Sequence, residues 1–406
     1  MKWSVRSLVS ACLLASTLVA AAPQDRTTEQ GEAQITDPNE ECTPYSYAPV
    51  SNAKSSFPAV WPPLNESATI VPNDNEAMSM FQALNSSIPN IAPHGTQPGS
   101  IEGNFTGNNY TAADPDCWWT WAHCDTPKYP GLEPDLTRVP EPDTFGYGFD
   151  DGPNCSHNAF YDFLAENNQK ATMFFIGSNV MDWPLEAQRA IADGHQVCVH
   201  TWSHRYMTSL TNEQAFAEFY YTIKALKLVL GVTPTCWRPP YGDVDDRIRY
   251  IAKSFNLSTI VWEYDSNDWR AGTGNITDAD VDANYEDLIT AAQNGTFSTE
   301  GTIMLTHELN NFTMSEAVKF YDQLKGAFKH LVPIAVALND TNPYAESNYT
   351  MPTFEQYTSG TTTTGSSGSS SGSSGGSGSS GGAAHSSWST LAAALAGAAA
   401  VLSALV

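Results

Sequence analysis

Between residues 145 and 336 the chain alternates short β-branched or aromatic runs with longer amphipathic ones, and this alternation restricts the fold more than any other feature. A strand over 145–149 leads to a helix with Phe160, Phe163 and Leu164 on one face, then to a strand over 171–176. Pro184 opens a helix that Gly194 closes, before a strand over 196–199. Thr211 and Gln214 form a capping box for a long helix ending at Gly231. A strand at 236–237, a helix over 247–255 and a strand over 258–262 follow. A helix around 285–292 leads to a strand over 302–305. Thr313 and Glu316 then predict a second capping box, for a helix reaching about residue 329, and 332–336 is the last strand. About seven strands alternating with helices predict an α/β fold with a parallel sheet, open or closed into a barrel. Functional residues in such folds lie at the carboxyl ends of the strands.

Polar residues cluster where that rule puts them. Asp150 and Asp151 follow the first strand and His200-Thr201-Trp202-Ser203-His204 the third. Arg238-Pro239-Pro240-Tyr241-Gly242-Asp243, Asp265-Ser266-Asn267-Asp268-Trp269 and Thr306-His307-Glu308 follow later ones. Adjacent carboxylates resist simultaneous ionisation, so the Asp150-Asp151 pair needs a cation beside it or keeps one member protonated. Alone, Asp-Asp-Gly-Pro also describes a turn with a helix-capping Asp. His200 and His204 are four apart, so one helical turn would point both imidazoles the same way, as a divalent metal requires. Two imidazoles and one carboxylate leave coordination positions open, the pattern of a catalytic zinc site, and the second carboxylate can then act as base.

The regions outside the core carry signals of their own. Lys2 and Arg6 precede an apolar run, so 1–21 reads as a secretory signal. Residues 22–115, rich in Pro, Asn and Ser with little periodicity, read as an irregular leader, processed or loosely ordered and draped over the core, and 116–340 as the catalytic domain. Residues 341–382 read as a disordered Ser/Thr/Gly-rich tether, and 383–406 as a glycolipid (GPI) anchor attachment signal, too short for a membrane span. Sequons at Asn65, Asn85, Asn104, Asn109, Asn256, Asn275, Asn294, Asn311, Asn339 and Asn348 fit a secreted glycoprotein. Asn154 also matches but lies beside the candidate site, and no glycan is expected there. Once Cys12 leaves with the signal, six cysteines remain; an even number in an oxidising compartment implies disulfides, of which only Cys117 with Cys124 suggests itself, as a short local loop. The net charge of −25 speaks against nucleic acid and anionic membrane surfaces as partners. It is compatible with a neutral or cationic ligand, or with solubility alone. For Cys117-Trp118-Trp119-Thr120-Trp121, packing against a barrel end and a carbohydrate-stacking platform are both open.

Taken in order, Phe149-Asp150-Asp151-Gly152-Pro153, His200-Thr201-Trp202-Ser203-His204, Arg238-Pro239-Pro240-Tyr241-Gly242, the 265–269 run and Leu305-Thr306-His307 resemble the five motifs of the polysaccharide deacetylase family (NodB homology, carbohydrate esterase family 4). The resemblance covers roughly residues 140 to 335, and the secretion signal, sequons, tether and anchor make it most similar to fungal GPI-anchored cell-wall chitin deacetylases. It implies a distorted (β/α) barrel. It also implies metal-dependent removal of N-acetyl groups from chitin, giving chitosan and acetate at the cell surface, with chitin or another N-acetylglucosamine polymer as partner and the membrane reached only through the anchor.

Residue by residue, the resemblance implies that Asp151, His200 and His204 hold a divalent metal, zinc foremost with cobalt as an alternative. Asp150 becomes the general base toward the attacking water, and Arg238 its partner. The backbone N–H of Tyr241 helps hold the oxyanion. His307 protonates the departing amine, with Asp268 fixing its tautomer and raising its pKa. Trp269 and Leu305 wall the acetyl pocket, or else are ordinary core. Gly148 and Glu308 depart from the family pattern, where a hydroxyl residue and Asp are common, so the loop beside the base is expected to differ. His94, His123, His157, His195, His330 and His385 have no matching partners and read as structural or surface residues, His195 anchoring a turn. On the same motifs an acetylxylan esterase, a peptidoglycan deacetylase or an inactive chitin-binding wall protein stay open.

Overall fold

The computed structural model describes residues 25–54, 60–95, 105 and 110–361. The expected signal, the expected anchor and most of the Ser/Gly run lie outside the described residues, as do Asn104, Asn109 and His385.

Among the described residues, nine short strands make two sheets in which every strand pairing is parallel. They are β1 Thr144–Gly146, β2 Gly148–Gly152, β3 Thr172–Phe175, β4 Gln196–Val199, β5 Cys236–Trp237, β6 Ser258–Thr259, β7 Tyr264–Asp265, β8 Thr302–Leu305 and β9 His330–Val332. One sheet runs β2-β3-β4-β5-β6, the other β7-β8-β1-β9. The expected first strand is thus divided between sheets. At Tyr147 the backbone changes partners: its N–H donates to Val332 while its carbonyl accepts from Thr172. Gly148 permits the crossing, since a Cβ there would lie 2.8 Å from the Thr172 carbonyl oxygen. The run expected as a strand over 258–262 is a strand only at β6, and the chain beyond it joins the other sheet at β7. A bridge between Asp150 and His307 joins the sheets at a further seam, with Asp150 N–H donating to Thr306 and Glu308 N–H to Asp150. The result is a distorted barrel whose carboxyl ends face one way.

Helices cover the outside, and their ends follow local chemistry. Helix Asn212–Leu230 begins at the capping box of Thr211 and Gln214 and stops at Gly231, whose φ of 76° only glycine adopts without strain. Two expectations fail locally. The last long helix, Asn311–Ala327, is capped one turn earlier than expected, by Asn310, which accepts from Phe312 and Thr313, so Thr313 and Glu316 lie inside it. Residues 332–336 are not one strand, because Pro333 has no N–H to continue the ladder and a helical turn, Ile334–Ala337, follows it.

The leader is not loose over its described residues. It forms short helices, including Glu29–Glu32 and Asn75–Asn85, and buries Val50, Trp61, Ile70 and Leu84 in the common core. Trp61 stacks on Trp202 at 6.0 Å, and the Trp202 indole N–H donates to the Pro63 carbonyl. Burial of that much apolar surface orders a segment whose poor periodicity suggested loose order, and the leader does lie over the core. The expected tether also starts later than residue 341: Tyr344 and Met351 are buried, and the Tyr344 hydroxyl accepts from Val197 N–H inside the domain. Disulfides join Cys42–Cys155, Cys117–Cys124 and Cys198–Cys236. The first fastens the leader to the loop after β2, and the last links β4 to β5. The eight described sequon asparagines are all exposed.

Candidate metal centre and active site

Successive side chains of a strand point to opposite faces, so Asp150 and Asp151 on a regular strand could not share a site. A bulge resolves this. Asp150 pairs with Phe174 and Gly152 with Phe175, leaving Asp151 as the extra residue, at φ 74°. Both carboxylates therefore reach the same imidazole: His200 Nε2 lies 3.3 Å from Asp151 Oδ1 and 3.8 Å from Asp150 Oδ2. His200 follows β4 directly and is fixed by its N–H to the Phe175 carbonyl. His204 Nε2 stands 3.1 Å from the same Asp151 oxygen. The two histidines do not sit on a helical turn as expected; Thr201 and His204 are in left-handed conformations, φ 64° and 53°, and the loop turns back on itself. Backbone strain at several positions of one pocket is the mark of a functional site held by its surroundings.

Much of the holding comes from Glu218, a fully buried residue that sequence reading missed. Its carboxylate accepts from Trp202 N–H, Ser203 N–H, the Ser203 hydroxyl and, from the leader, Ala68 N–H. A lone glutamate inside an amphipathic helix carries no sequence signal for such a role.

The trio Asp151, His200 and His204 fits a divalent cation. The Arg238 carbonyl can only accept, so His200 Nδ1, at 2.8 Å from it, carries the proton and Nε2 presents a lone pair. That lone pair faces Asp151 Oδ1, a buried oxygen with no hydrogen-bond partner. Electron-rich atoms converging without a proton between them are stabilised by a cation, and one carboxylate with two imidazoles is a suitable donor set.

Arg238 follows β5 and is wholly buried; its Nη1 donates to Asp150 Oδ1 at 2.7 Å, a charge-assisted bond that fixes the carboxylate's direction. Its guanidinium lies over the Phe174 ring at 4.0 Å. On the other side His307 Nδ1 meets Asp268 Oδ1 at 2.6 Å, and His307 N–H donates to Asp268 Oδ2 at 3.0 Å. Burial lowers the imidazole's affinity for a proton, but Asp268, with Asp151 and Asp150, overrides it and raises the pKa to about 10. Tyr241, at φ 59°, places its hydroxyl 3.1 Å from His204 Nδ1. Leu305 is buried beneath the site, whereas Trp269 is 44% exposed and is not core.

Glu308 takes the space below the first motif. Its carboxyl, pushed up to about 8 chiefly by burial, accepts from the Tyr161 hydroxyl, and a Cβ on Gly152 would collide with it. His195 accepts from Ala171 N–H beside its turn, and burial lowers its pKa to about 3. His94, expected without partners, instead lies 3.0 Å from Asp116 and 3.5 Å from Asp245, with the Arg247 guanidinium 3.8 Å from Asp245 supplying a further positive charge.

The chain matches the family model described as polysaccharide deacetylase over residues 138–260. It is 57% identical over 341 residues to Chitin deacetylase 2 of Cryptococcus neoformans var. grubii, covering 83% of this chain and 73% of that relative. It is 44% identical over 314 residues to the chitin deacetylase of Amylomyces rouxii, covering 76% and 73%. Among solved structures it is similar to the chitin deacetylase from Colletotrichum lindemuthianum, with a TM-score of 0.48 and 22% identity over 52% of this chain and 96% of that one.

Proposed function

Because the chain belongs to the polysaccharide deacetylase family, we propose that it removes N-acetyl groups from the N-acetylglucosamine residues of chitin, giving chitosan and acetate. The observation that carries this reading is the meeting of three groups of residues from distant strands. They are the Asp150–Arg238 pair, the Asp151, His200 and His204 trio, and the His307–Asp268 pair.

Asp151, His200 and His204 would hold a divalent cation, for which we favour zinc. When bound, such an ion supplies Lewis acidity, making water more acidic and drawing charge from a carbonyl oxygen. Asp150, aligned by Arg238, accepts a proton from the water that attacks the acetamide carbon. The backbone N–H of Tyr241 donates to the oxygen on which negative charge develops. His307 shares its Nδ1 proton with Asp268, so Nε2 is the position from which a proton passes to the leaving nitrogen as the C–N bond breaks. One water is consumed, and acetate and a free amine result. Trp269 and Leu305 shape the space for the acetyl methyl group.

We also propose secretion and retention at the cell wall through a glycolipid anchor. Three disulfides and the exposed sequons support an oxidising, extracellular setting. Acetate release from acetylated chitin oligomers, measured before and after chelation and again with metal restored, tests the activity. Release that is lost on chelation and recovered with zinc is expected. Undiminished release after thorough metal removal, or release from acetylated xylan alone, would overturn the reading.

A further inference from the structure

The aromatic knot at residues 117–121 does two things at once. Trp118 and Trp119 are buried, whereas the neighbouring Trp121 is 53% exposed on a loop closed by Cys117–Cys124. That loop is fastened to the active-site segment. The Trp118 indole N–H and the Thr120 hydroxyl both donate to Asp243, two residues beyond Tyr241, and a Cβ on Gly242 would run into the Trp119 ring.

From Tyr241 a row of rings leads outward. The Tyr241 ring lies flat on Tyr206, 4.0 Å apart and 6° from parallel. Phe105 stands edge-on to Tyr206 at 5.3 Å and to Trp118 at 5.0 Å. Trp118 in turn backs Trp121, nearly parallel at 6.3 Å, and Tyr110 braces Trp121 from the side at 5.6 Å. Tyr241, Tyr206 and Phe105 are half-buried and Trp121 is exposed, so the row meets solvent at both ends, with the buried Trp118 as backing between them.

An exposed indole held rigid by disulfide, hydrogen bond and stacking pays little conformational entropy when it binds a ligand, and large exposed apolar faces mark contact sites. The ligand must suit aromatic faces and a protein of charge −25, which excludes polyanions. A neutral pyranose, with its face of axial C–H bonds, satisfies both conditions, and a linear polymer meets successive rings with successive sugars.

We propose that Trp121, with Tyr206, forms an aromatic sugar-binding subsite that runs outward from the metal centre and grips sugars of the polysaccharide other than the one whose acetamide is cleaved. This rests on the reading of the site as a chitin deacetylase. The subsite raises affinity for long chains and contributes nothing to the chemical step.

The test compares the full secreted protein with its Trp121→Ala and Trp121→Phe variants on N-acetylglucosamine oligomers from dimer to hexamer. Because Trp121 is largely exposed and its neighbours hold the loop, folding should survive, and circular dichroism with the melting temperature checks this. Trp121→Ala should lower kcat/KM on the hexamer about tenfold through KM, with the loss shrinking as the oligomer shortens and Trp121→Phe partly restoring it. An equal effect at every length, or none at any, overturns the subsite while leaving the deacetylase reading intact. Absence of acetate release from any oligomer by the unaltered, metal-loaded protein instead sinks the reading beneath it.

Discussion

Asp268 grips His307 at two points, its Oδ1 on the imidazole Nδ1 at 2.6 Å and its Oδ2 on the backbone N–H of the same residue at 3.0 Å. One carboxylate thereby sets both the ring's tautomer and the direction of its free nitrogen. Its negative charge also raises the imidazole's pKa against the effect of burial, so His307 keeps a proton to give through neutral pH.

Asp268→Asn removes that charge and keeps the shape. The pKa of His307 should fall, and because the protonated form is the active one, the alkaline limb of the kcat profile should move to lower pH. The rate should drop by about 10²- to 10⁴-fold. An alkaline limb in its original place would deny Asp268 its role.

Asp150→Asn should bind metal at the unaltered stoichiometry and lose turnover by about 10²- to 10⁴-fold, since Asp151, His200 and His204 remain while the proton acceptor is gone. Elemental analysis paired with acetate release separates the two effects. An empty site in this variant would make Asp150 a ligand.

His204→Ala should lose metal and activity together. Full metal occupancy by elemental analysis would contradict the proposed coordination, because Asp151 and His200 alone hold a divalent ion far more weakly.

Glu218→Ala should destabilise the protein by roughly 3 kcal/mol, because it strands the N–H groups of Ala68, Trp202 and Ser203 in a buried place. Metal affinity should fall with it, as the His200–His204 loop loses its brace. Glu218→Gln, which keeps an acceptor, should lie between the two in melting temperature and metal content. A variant Glu218→Ala that melts like the original would show that the loop holds itself.

Docking of the leader should weaken as pH rises. Burial, partly offset by Asn158 and reinforced by Glu41, pushes Glu32 up to about 7. Burial and Glu32 push Glu186 up to about 8, against the Tyr45 hydroxyl that donates to it. Both are above the ordinary 4.5, so the folded state binds protons more tightly. Their contribution is fully present below about pH 4.5 and is lost as pH climbs through 7 and 8. Limited proteolysis of the leader should therefore be faster at pH 8 than at pH 5, and Glu32→Gln should flatten the difference. Equal rates at both values for the unaltered protein would show that protonation of Glu32 and Glu186 does not hold the leader down.

Much of this molecule was legible from residues alone, for identifiable reasons. Strand and helix periodicities from 145 onward, the Thr211–Gln214 cap and the Gly231 stop are local, and the local rules held. Expectation and structure part where a distant partner outvoted a local signal, as in the leader, or where one local signal outvoted another. The leader lacks periodicity yet is ordered by packing on Trp202 and Glu218. The Thr313–Glu316 cap lost to Asn310, and Pro333 broke a run whose apolar content suggested a strand. Of the three disulfides only the seven-residue Cys117–Cys124 loop was visible, since the others join residues 113 and 38 apart.

The chemical groups of the site, and the strand ends that carry them, follow from the order of residues, because polar clusters after buried strands survive only where something uses them. Their convergence does not. A period of two would have turned Asp150 and Asp151 to opposite faces, and a helical turn would have carried His200 and His204. The barrel instead closes through a bulge at Asp151 and a left-handed loop at Thr201 and His204, shapes that cost energy locally and persist because buried contacts from other strands hold them.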